Sequence, residues 1–321
     1  MPTTDDHVNA GELDASFHLN VQHWPCYSRA TGRQEIMGKV TANIHQLTAS
    51  VFAVIGVDGA TNFGIIKGSD DSVILIDADI RRMDEIDDAL ERTGCKKVRY
   101  LVNTHENFDH SSANDYFEKN GTVVVGTDGC YQALEEDGDE KFAEMAGRSP
   151  ELWTRFPGLK MANLQIAFPQ EITLRLPGVA VRLLFAAYNG KSHSRGDAIA
   201  ILEHDKILFA GDLLYTDFHP VTVYGNIPNW IQSINHLLGQ NFVSVVPGHG
   251  PVSSGGNDAY KLAFEKFRSY LVDFDGRLKE MKAGKKSPGE VESYMKSGAY
   301  AAMGKTWMVK RNIEYSLKEG D

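Results

Sequence analysis

Cysteine is scarce in this sequence, and long apolar segments are missing. Cys26, Cys95 and Cys130 are the only cysteines in 321 residues, and no two of them form a CxxC pair. Because three cysteines cannot build a disulfide framework, they fit a reducing compartment. The apolar runs are strand-sized, whereas a membrane helix needs about 18 apolar residues. The start of the chain also lacks the basic head and apolar core of a secretory signal. We therefore expect a cytoplasmic protein with no membrane partner.

Positive charge is also in short supply. Lys and Arg together number 33 against 43 Asp and Glu, which gives a formal net charge of −10. Such a surface repels phosphate backbones, so we expect no nucleic-acid partner. With 42% hydrophobic and 24% charged residues, the composition is typical of a globular protein and excludes a disordered chain. The expected partner is therefore a small molecule, and association with further copies of the chain is left open.

Short apolar runs separated by turn residues predict two sets of strands. The first set covers residues 50–57, 62–67, 72–77 and 97–102, and the second covers 171–176, 180–185, 198–202, 206–210 and 243–246. Helical patterns lie between the strands at 83–93, 113–119 and 230–238. Two strand-rich halves of similar plan, each with its own helices, predict an α/β protein built as a layered αββα sandwich.

The chain divides into three predicted regions. Residues 1–40 form an N-terminal extension, residues 41–255 form the main domain, and residues 256–321 form a C-terminal helical extension. A charged, helical stretch at about 130–165 is expected to be an insertion over one rim of the main domain. Six apolar residues of the extension recur every three or four positions, and these are Phe264, Phe267, Leu271, Phe274, Leu278 and Met281. Because this stripe is too short for a coiled coil, we expect it to pack on the protein's own core or on a dimer mate.

Histidine and aspartate recur just after predicted strands. The residues are His105, Asp109, His110, His193, Asp212 and His249. Loops at strand ends hold side chains on a rigid scaffold, which suits ligands and catalytic groups. Four imidazoles and two carboxylates suit a divalent metal such as zinc, iron or manganese. The cysteines lie elsewhere in the sequence, which argues against a structural zinc held by thiolates.

The order of these residues resembles the metallo-β-lactamase superfamily. Where that family has the motif HxHxDH, this sequence reads His105-Glu106-Asn107-Phe108-Asp109-His110. The later motifs of the family resemble His193 in a Ser-His-Ser segment, Asp212 after Ala210-Gly211, and His249 within Pro247-Gly248-His249-Gly250. The resemblance extends from about Thr41 to Pro251. It implies the four-layer αββα sandwich of that family.

The resemblance also implies a set of ligands and a mechanism. His105 and His193 match ligands of a first metal, with Asn107 at the position of a further ligand. The other matches are Asp109, His110 and His249 for a second metal and Asp212 as the carboxylate between the two metals. The family implies one or two zinc ions, with iron or manganese as alternatives, and attack by a metal-activated hydroxide. Asp109 and Asp212 are the implied catalytic carboxylates, with Asp109 as proton shuttle.

Asn107 departs from the family motif, which has histidine there. An amide oxygen is neutral and a poorer donor to zinc than an imidazole nitrogen, so the first site should be weakened. Three outcomes stay open at this point. The site is filled weakly or by a harder metal, it is left empty so that one ion binds, or a nearby side chain such as Glu106 or His219 replaces the missing ligand.

The expected activity is that of a metal-dependent hydrolase. It would cleave an ester, lactone, thioester or amide bond of a small molecule. The rival expectation is an iron-dependent oxidoreductase or oxygenase on the same fold, because the resemblance implies that ligands other than histidine occur at the position of Asn107 where the metal is iron. A third is a catalytically degenerate binding protein. Two secondary expectations concern the surroundings: Arg195 and Asp197 pair with each other, and Tyr188, Tyr215, Tyr224 and Trp230 serve packing or line a pocket.

Overall fold

The computed structural model describes residues 40–318. The predicted N-terminal extension, residues 1–40, lies outside the described residues except for its last position. Within the described range the chain forms two sheets and nine α-helices. None of the described helices is both long and apolar enough to cross a lipid bilayer.

Seven strands form the first sheet, in the order in which they occur in the chain. They are β1 (Ile44–Gln46), β2 (Val51–Val54), β3 (Phe63–Lys67), β4 (Ser72–Ile76), β5 (Lys97–Val102), β6 (Val123–Thr127) and β7 (Ile166–Phe168). Strands β1 to β4 pair antiparallel, whereas β4 to β7 pair parallel. All five residues of β4 are buried, as expected for a central strand that is covered on both faces.

Six strands form the second sheet, in the order β13-β12-β11-β10-β9-β8. They are β8 (Glu171–Leu176), β9 (Val179–Phe185), β10 (Ala198–Leu202), β11 (Ile207–Tyr215), β12 (Ser244–His249) and β13 (Ser253–Ser254). Only β11 and β12 pair parallel in this sheet. Strand β11 is longer than the predicted 206–210, because it continues through an irregularity at Gly211, where φ is +51°. Asp212 therefore lies within a strand and not at its tip.

Helices cover the outer face of each sheet. The first sheet carries α1 (Met83–Arg92), α2 (Phe108–Ser111), α3 (Asn114–Lys119), α4 (Asp128–Gly147) and α5 (Glu151–Arg155). The second sheet carries α6 (Ile227–Leu238), α7 (Asn257–Lys282), α8 (Pro288–Met295) and α9 (Trp307–Lys318). The stretch expected as an insertion at 130–165 contains α4 and α5, between β6 and β7.

Three layers of apolar side chains hold the sandwich together. The inner faces of the two sheets share one cluster, which includes Ile74 and Val102 from the first sheet and Leu183 and Phe209 from the second. The other two clusters join each sheet to its helices. Two mixed sheets between helices, followed by C-terminal helices, confirm the predicted αββα class.

The apolar stripe of α7 packs on the chain's own core. All six of its residues are buried and belong to the cluster beneath the second sheet. Of the two partners expected for this stripe, the structure therefore shows the protein's own core. The helix is consequently an integral part of the hydrophobic core, and its buried face should contribute strongly to stability.

Two leucines of α7 allow this contribution to be measured. Leu271 is fully buried, whereas Leu262 is 51% exposed on the same helix. We expect Leu271→Ala to lower the free energy of unfolding by about 2–5 kcal/mol, because it removes buried methyl groups and leaves a cavity. Leu262→Ala should change it by less than about 0.5 kcal/mol. Urea denaturation of both variants measures these changes. Equal decreases in the free energy of unfolding would show that the buried stripe does not stabilise the fold more than the exposed face does.

Candidate metal centre

The side chains selected from the sequence converge at one edge of the sandwich. His105 follows β5, and Asp109 and His110 lie in the short helix α2 just beyond it. His193 follows β9, while Asp212 and His249 lie near the ends of β11 and β12. Strands β9, β11 and β12 run in the same direction, because β9 and β11 each pair antiparallel with β10 and β12 pairs parallel with β11. Their carboxyl ends therefore meet on the same side of the second sheet.

Six of these side chains form two groups of potential ligands. Within each group the donor atoms lie within 4.8 Å of one another. The first group is His105, His193 and Asp212, and the second is Asp109, His110 and His249. All are buried except Asp109, whose side chain is 29% exposed.

Asp212 faces both groups at once. Its Oδ2 lies 3.3 Å from His193 Nε2 and 3.7 Å from His105 Nε2. Its Oδ1 lies 3.3 Å from His110 Nε2 and 3.4 Å from His249 Nε2. One carboxylate thus presents a separate oxygen to each group, which is the arrangement expected of a carboxylate between two adjacent cations.

Several of the donor atoms have no hydrogen-bond partner. His105 Nε2, His110 Nε2 and Asp212 Oδ1 are buried and form no hydrogen bond of acceptable geometry. Buried polar atoms are normally satisfied, so three such atoms close together around Asp212 call for an additional binding partner. Imidazole nitrogens and carboxylate oxygens are ligands that divalent metals such as zinc accept. The residues present therefore fit a metal ion.

Comparison with known families agrees with this geometry. Residues 56–270 match the model of the metallo-beta-lactamase superfamily. The chain belongs to the metallo-β-lactamase superfamily. Members of this superfamily bind metal ions, typically zinc, and are mostly hydrolases. The resemblance inferred from the motifs is thereby confirmed.

Solved structures show the same superfamily fold. A metallo-beta-lactamase from Pontibacter korlensis is 17% identical, and the alignment covers 72% of this chain and 98% of that chain with a TM-score of 0.57. The stereoselective inverting sec-alkylsulfatase Pisa1 from Pseudomonas sp. is 15% identical, with 87% of this chain and 50% of that chain covered and a TM-score of 0.63. At these identities the likeness shows the fold alone. Comparison with curated proteins finds no match.

The pKa values of most of the potential ligands are shifted toward the protonation states in which these groups can bind a cation. Burial lowers the pKa of His105, and it lowers that of His193 to about 4, so both imidazoles are neutral. Burial opposes ionisation of Asp212, but the surrounding histidines outweigh it and hold the pKa of this carboxyl well below its usual range. His110 differs, because Asp212 and Asp77 overcome the effect of burial and raise its pKa. His110 must therefore lose a proton when a cation binds.

Hydrogen bonds from surrounding groups orient two of the histidines of the second group. Asp77 Oδ2 lies 2.9 Å from His110 Nδ1, and the Gly59 carbonyl oxygen lies 2.9 Å from His249 Nδ1. Thr104 fixes Asp77 in turn, since its backbone N–H and its hydroxyl each donate to that carboxylate at 2.7 Å. Such contacts on the far ring nitrogen fix the orientation of a metal-binding imidazole. Asp77 was missed from the sequence, although it stands at the end of a predicted strand as the selected residues do.

The aromatic residues near the centre have distinct roles. The Tyr215 hydroxyl donates to Asp212 Oδ2, and its ring stacks on His249 with a centroid distance of 4.8 Å. Trp230 is fully buried and packs against His193 with a centroid distance of 5.0 Å. Tyr188, in contrast, is 48% exposed. Tyr215 therefore supports the carboxylate shared by both groups, in addition to the packing that was expected of it.

Asn107 faces the first group. Its side-chain Nδ2 lies 3.0 Å from His193 Nε2, so the amide occupies the ring nitrogen that a cation would need. Asp212 Oδ2, the oxygen of the same group, already accepts the Tyr215 hydroxyl. The corresponding atoms of the second group, His110 Nε2 and Asp212 Oδ1, have no such bond. We therefore expect the second group to hold a cation more tightly than the first.

Neither proposed substitute for the missing ligand lies in either group. Glu106 Oε1 accepts the backbone N–H of Arg195 at 3.3 Å, and His219 Nδ1 lies 3.0 Å from the Tyr270 hydroxyl. The donor groups found among residues 40–318 contain neither side chain. The predicted pairing of Arg195 with Asp197 is wrong.

The two side chains of that predicted pair have other partners. The Arg195 guanidinium lies 2.8 Å from the carboxylate of Glu136 in α4, so it pairs with a residue outside its own loop. Asp197 accepts the backbone N–H and the hydroxyl of Ser194 instead. The loop that carries His193 is therefore closed by hydrogen bonds from Ser194 to Asp197.

The role of Asp77 can be tested with an isosteric change. In Asp77→Asn, an amide N–H₂ replaces one of the oxygens that accept from Thr104 and His110. Asn tolerates the positive φ of +60° at this position, so the backbone should be unaffected. We expect zinc affinity to fall by about 10–100-fold, because the His110 ring loses its orienting acceptor. Competition with a chromophoric chelator measures this, with Asp139→Asn on exposed α4 as control. Unchanged affinity would show that Asp77 does not support a ligand.

The role of Asn107 can be tested by restoring the family residue. Asn107→His replaces the amide whose Nδ2 lies 3.0 Å from His193 Nε2 by an imidazole, and this should tighten the first group. We expect metal content per chain under limiting zinc to rise, while Asn107→Ala, which removes the amide without adding a donor, should not raise it. Mass spectrometry of the metal content decides this. If the histidine variant binds no more zinc than the parent, Asn107 does not face a cation.

Proposed function

We propose that the protein is a metal-dependent hydrolase that cleaves an ester, lactone, thioester or amide bond of a small molecule. One observation carries this proposal: Asp212 presents one oxygen to each of two buried groups of histidine and aspartate. Membership of a superfamily made up mostly of hydrolases supports it. We further propose Asp109 and Asp212 as the catalytic carboxylates.

The proposed cofactor is zinc, as one or two ions. Asp109, His110 and His249 would hold one ion, His105 and His193 with Asn107 nearby would hold the other, and Asp212 would contact both. A divalent cation in such a site supplies Lewis acidity and makes water a stronger nucleophile at neutral pH. The weaker first group favours loading of the second group first.

Asp109 is the residue placed to move a proton. It is the one carboxylate of the two groups that solvent reaches, with 29% of its side chain exposed. Burial opposes its ionisation, yet His110 and His249 lower its pKa, so it is ionised at neutral pH. The Thr61 hydroxyl donates to its Oδ2 at 2.5 Å and fixes its orientation. Asp109 would accept the proton of an attacking water and return it to the leaving group.

Other residues hold the shape of the site without taking part in proton transfer. Burial and the neighbouring Asp212 raise the pKa of Tyr215 well above its ordinary value, so its hydroxyl stays protonated. It therefore acts as a fixed donor to Asp212.

The proposed substrate is a small molecule, since the net charge of −10 disfavours nucleic acid. Cys95 and Cys130 are free thiols, which supports a cytoplasmic location.

A metal count followed by a panel of esters and lactones tests the proposal. We expect zinc without visible colour and turnover that depends on it. Asp109→Ala should reduce turnover by at least about 100-fold while the protein stays folded, since it removes a ligand and the proton acceptor. Asp139→Ala, on the exposed face of α4, serves as the matched control.

Other results would favour the rival functions. Full activity in Asp109→Ala would falsify the proposed centre. Iron with visible absorption and oxygen uptake would indicate an oxidoreductase. A chain that takes up neither metal from medium supplemented with zinc and iron would be a binding protein.

A further inference from the structure

The segment between α8 and α9 contacts the rim of the metal centre. The Gly304 N–H donates to the Asp217 carbonyl at 2.8 Å, and the Gly304 carbonyl accepts the His219 N–H at 3.1 Å. Phe218 and Gly304 form a parallel β-bridge between these bonds. The C-terminal segment is thus fixed by backbone hydrogen bonds to the loop that leaves β11, the strand of Asp212.

Two glycines bring this segment close to the loop that precedes β3. A Cβ on Gly59 would lie 2.7 Å from the Phe218 ring, and a Cβ on Gly304 would overlap the same ring. The Phe218 ring is therefore held between the two backbones. Gly59 is the residue whose carbonyl orients His249.

Lys305 extends from this segment to the same carbonyl. Its Nζ donates to the Gly59 oxygen that also accepts from His249 Nδ1. Its backbone φ is +55°, a conformation that costs free energy for a residue other than glycine. Lys305 therefore has a strained backbone and shares the Gly59 carbonyl with His249, a residue of the second group of potential ligands.

The ammonium of Lys305 has no carboxylate partner among the described residues. No acidic oxygen of residues 40–318 lies within 4.0 Å of it, although the side chain is half-buried. Arg81, a second cation that acts on Lys305, is paired with Asp79 at 2.5 Å. The Lys305 ammonium is attracted by Asp79, which is already paired with Arg81, and more strongly by Asp109 and Asp212, which belong to the metal centre. A cation bound there would offset their charge and leave the ammonium available to an anion.

We propose that Lys305 binds a carboxylate group of the substrate, so that the enzyme acts on esters or lactones that carry a free carboxylate. The proposal rests on the hydrolase function proposed above and specifies its substrate class. A single ammonium offsets one negative charge, and the adjacent guanidinium is already paired, so a singly charged carboxylate fits better than a phosphate. Lys305 is a binding residue at the rim and takes no part in proton transfer.

Two esters with the same leaving group test this. The anionic one is 4-nitrophenyl hydrogen glutarate, and the neutral one is 4-nitrophenyl valerate. We expect Lys305→Gln to lower the ratio of kcat/KM for the anionic over the neutral ester by about tenfold, since hydrogen bonds to charged groups are strong. Lys305→Arg, which keeps the charge, should restore the ratio to within about threefold. Lys310→Gln on exposed α9 is the matched control for loss of one positive charge.

The glutamine variant separates anion binding from a structural role. Its amide can still donate to the Gly59 carbonyl, so a residue that only joined the two segments would tolerate it. An unchanged ratio, or a lower zinc content that accounts for the whole loss of activity, would overturn the proposal. A comparison that uses no variant is available if the glutamine variant does not fold. Glutarate should bind the zinc-loaded protein about tenfold more tightly than butyrate, which has one carboxylate fewer, and equal affinities would overturn the proposal.

The glutarate affinity can be measured by calorimetry for the parent protein and for Lys305→Gln. Together with the ester assays, it distinguishes this proposal from the hydrolase function. If neither ester is cleaved but Lys305→Gln weakens glutarate binding about tenfold, the carboxylate site stands and the hydrolase function fails. If both esters are cleaved while the ratio and the glutarate affinity stay the same in the variant, the hydrolase function stands and the role of Lys305 is wrong. If neither ester is cleaved and glutarate binds equally or not at all, both proposals fail.

Discussion

The position of one carboxylate, that of Asp212, determines the rest of the site. Its two oxygens lie within 3.7 Å of four imidazole nitrogens, and those imidazoles come from both sheets and from α2. An ionised carboxylate buried among imidazole rings is costly to desolvate unless a positive charge lies beside it. The histidines lower its pKa, and the Tyr215 hydroxyl satisfies one oxygen. The remaining oxygen, which has no hydrogen bond, indicates that the site is built for a cation.

The backbone around Asp212 is adapted to this position. A Cβ at Gly248 of β12 would overlap Asp212 Oδ1, so only glycine allows the two parallel strands to come this close there. Gly211 has φ of +51°, and a Cβ at that residue would lie 2.7 Å from the Thr104 side chain. Thr104 in turn fixes Asp77, and Asp77 orients His110. Gly211 and Gly248, both in the second sheet, thus allow the carboxylate and the groups that orient its neighbours to lie close together.

The sequence was sufficient to predict the sandwich and the convergence of six donor side chains, because strand periodicity and residues at strand ends are local features. It could not predict the continuation of β11 past Gly211, since a strand irregularity depends on the parallel partner β12. Asp77 lies at the end of a predicted strand, as the predicted ligands do. Its role depends on the orientation of the His110 ring, which the sequence does not reveal. The contact of Lys305 with Gly59 joins residues 246 positions apart. The spacing of apolar residues along the chain cannot predict a contact over such a distance.

The two groups of potential ligands differ in their expected affinity for a cation, because neutral side chains donate hydrogen bonds to atoms of the first group. In the first group, Asn107 donates to a histidine nitrogen and Tyr215 donates to the carboxylate oxygen, so both bonds must break or be replaced before a cation binds. In the second group the corresponding nitrogen and oxygen have no partner, and Asp109 adds a second negative charge. We therefore expect the free energy of cation binding to be more favourable at the second group. Replacing the histidine of the family motif by Asn107 thus makes the two halves of the centre unequal, while Asp212 remains common to both.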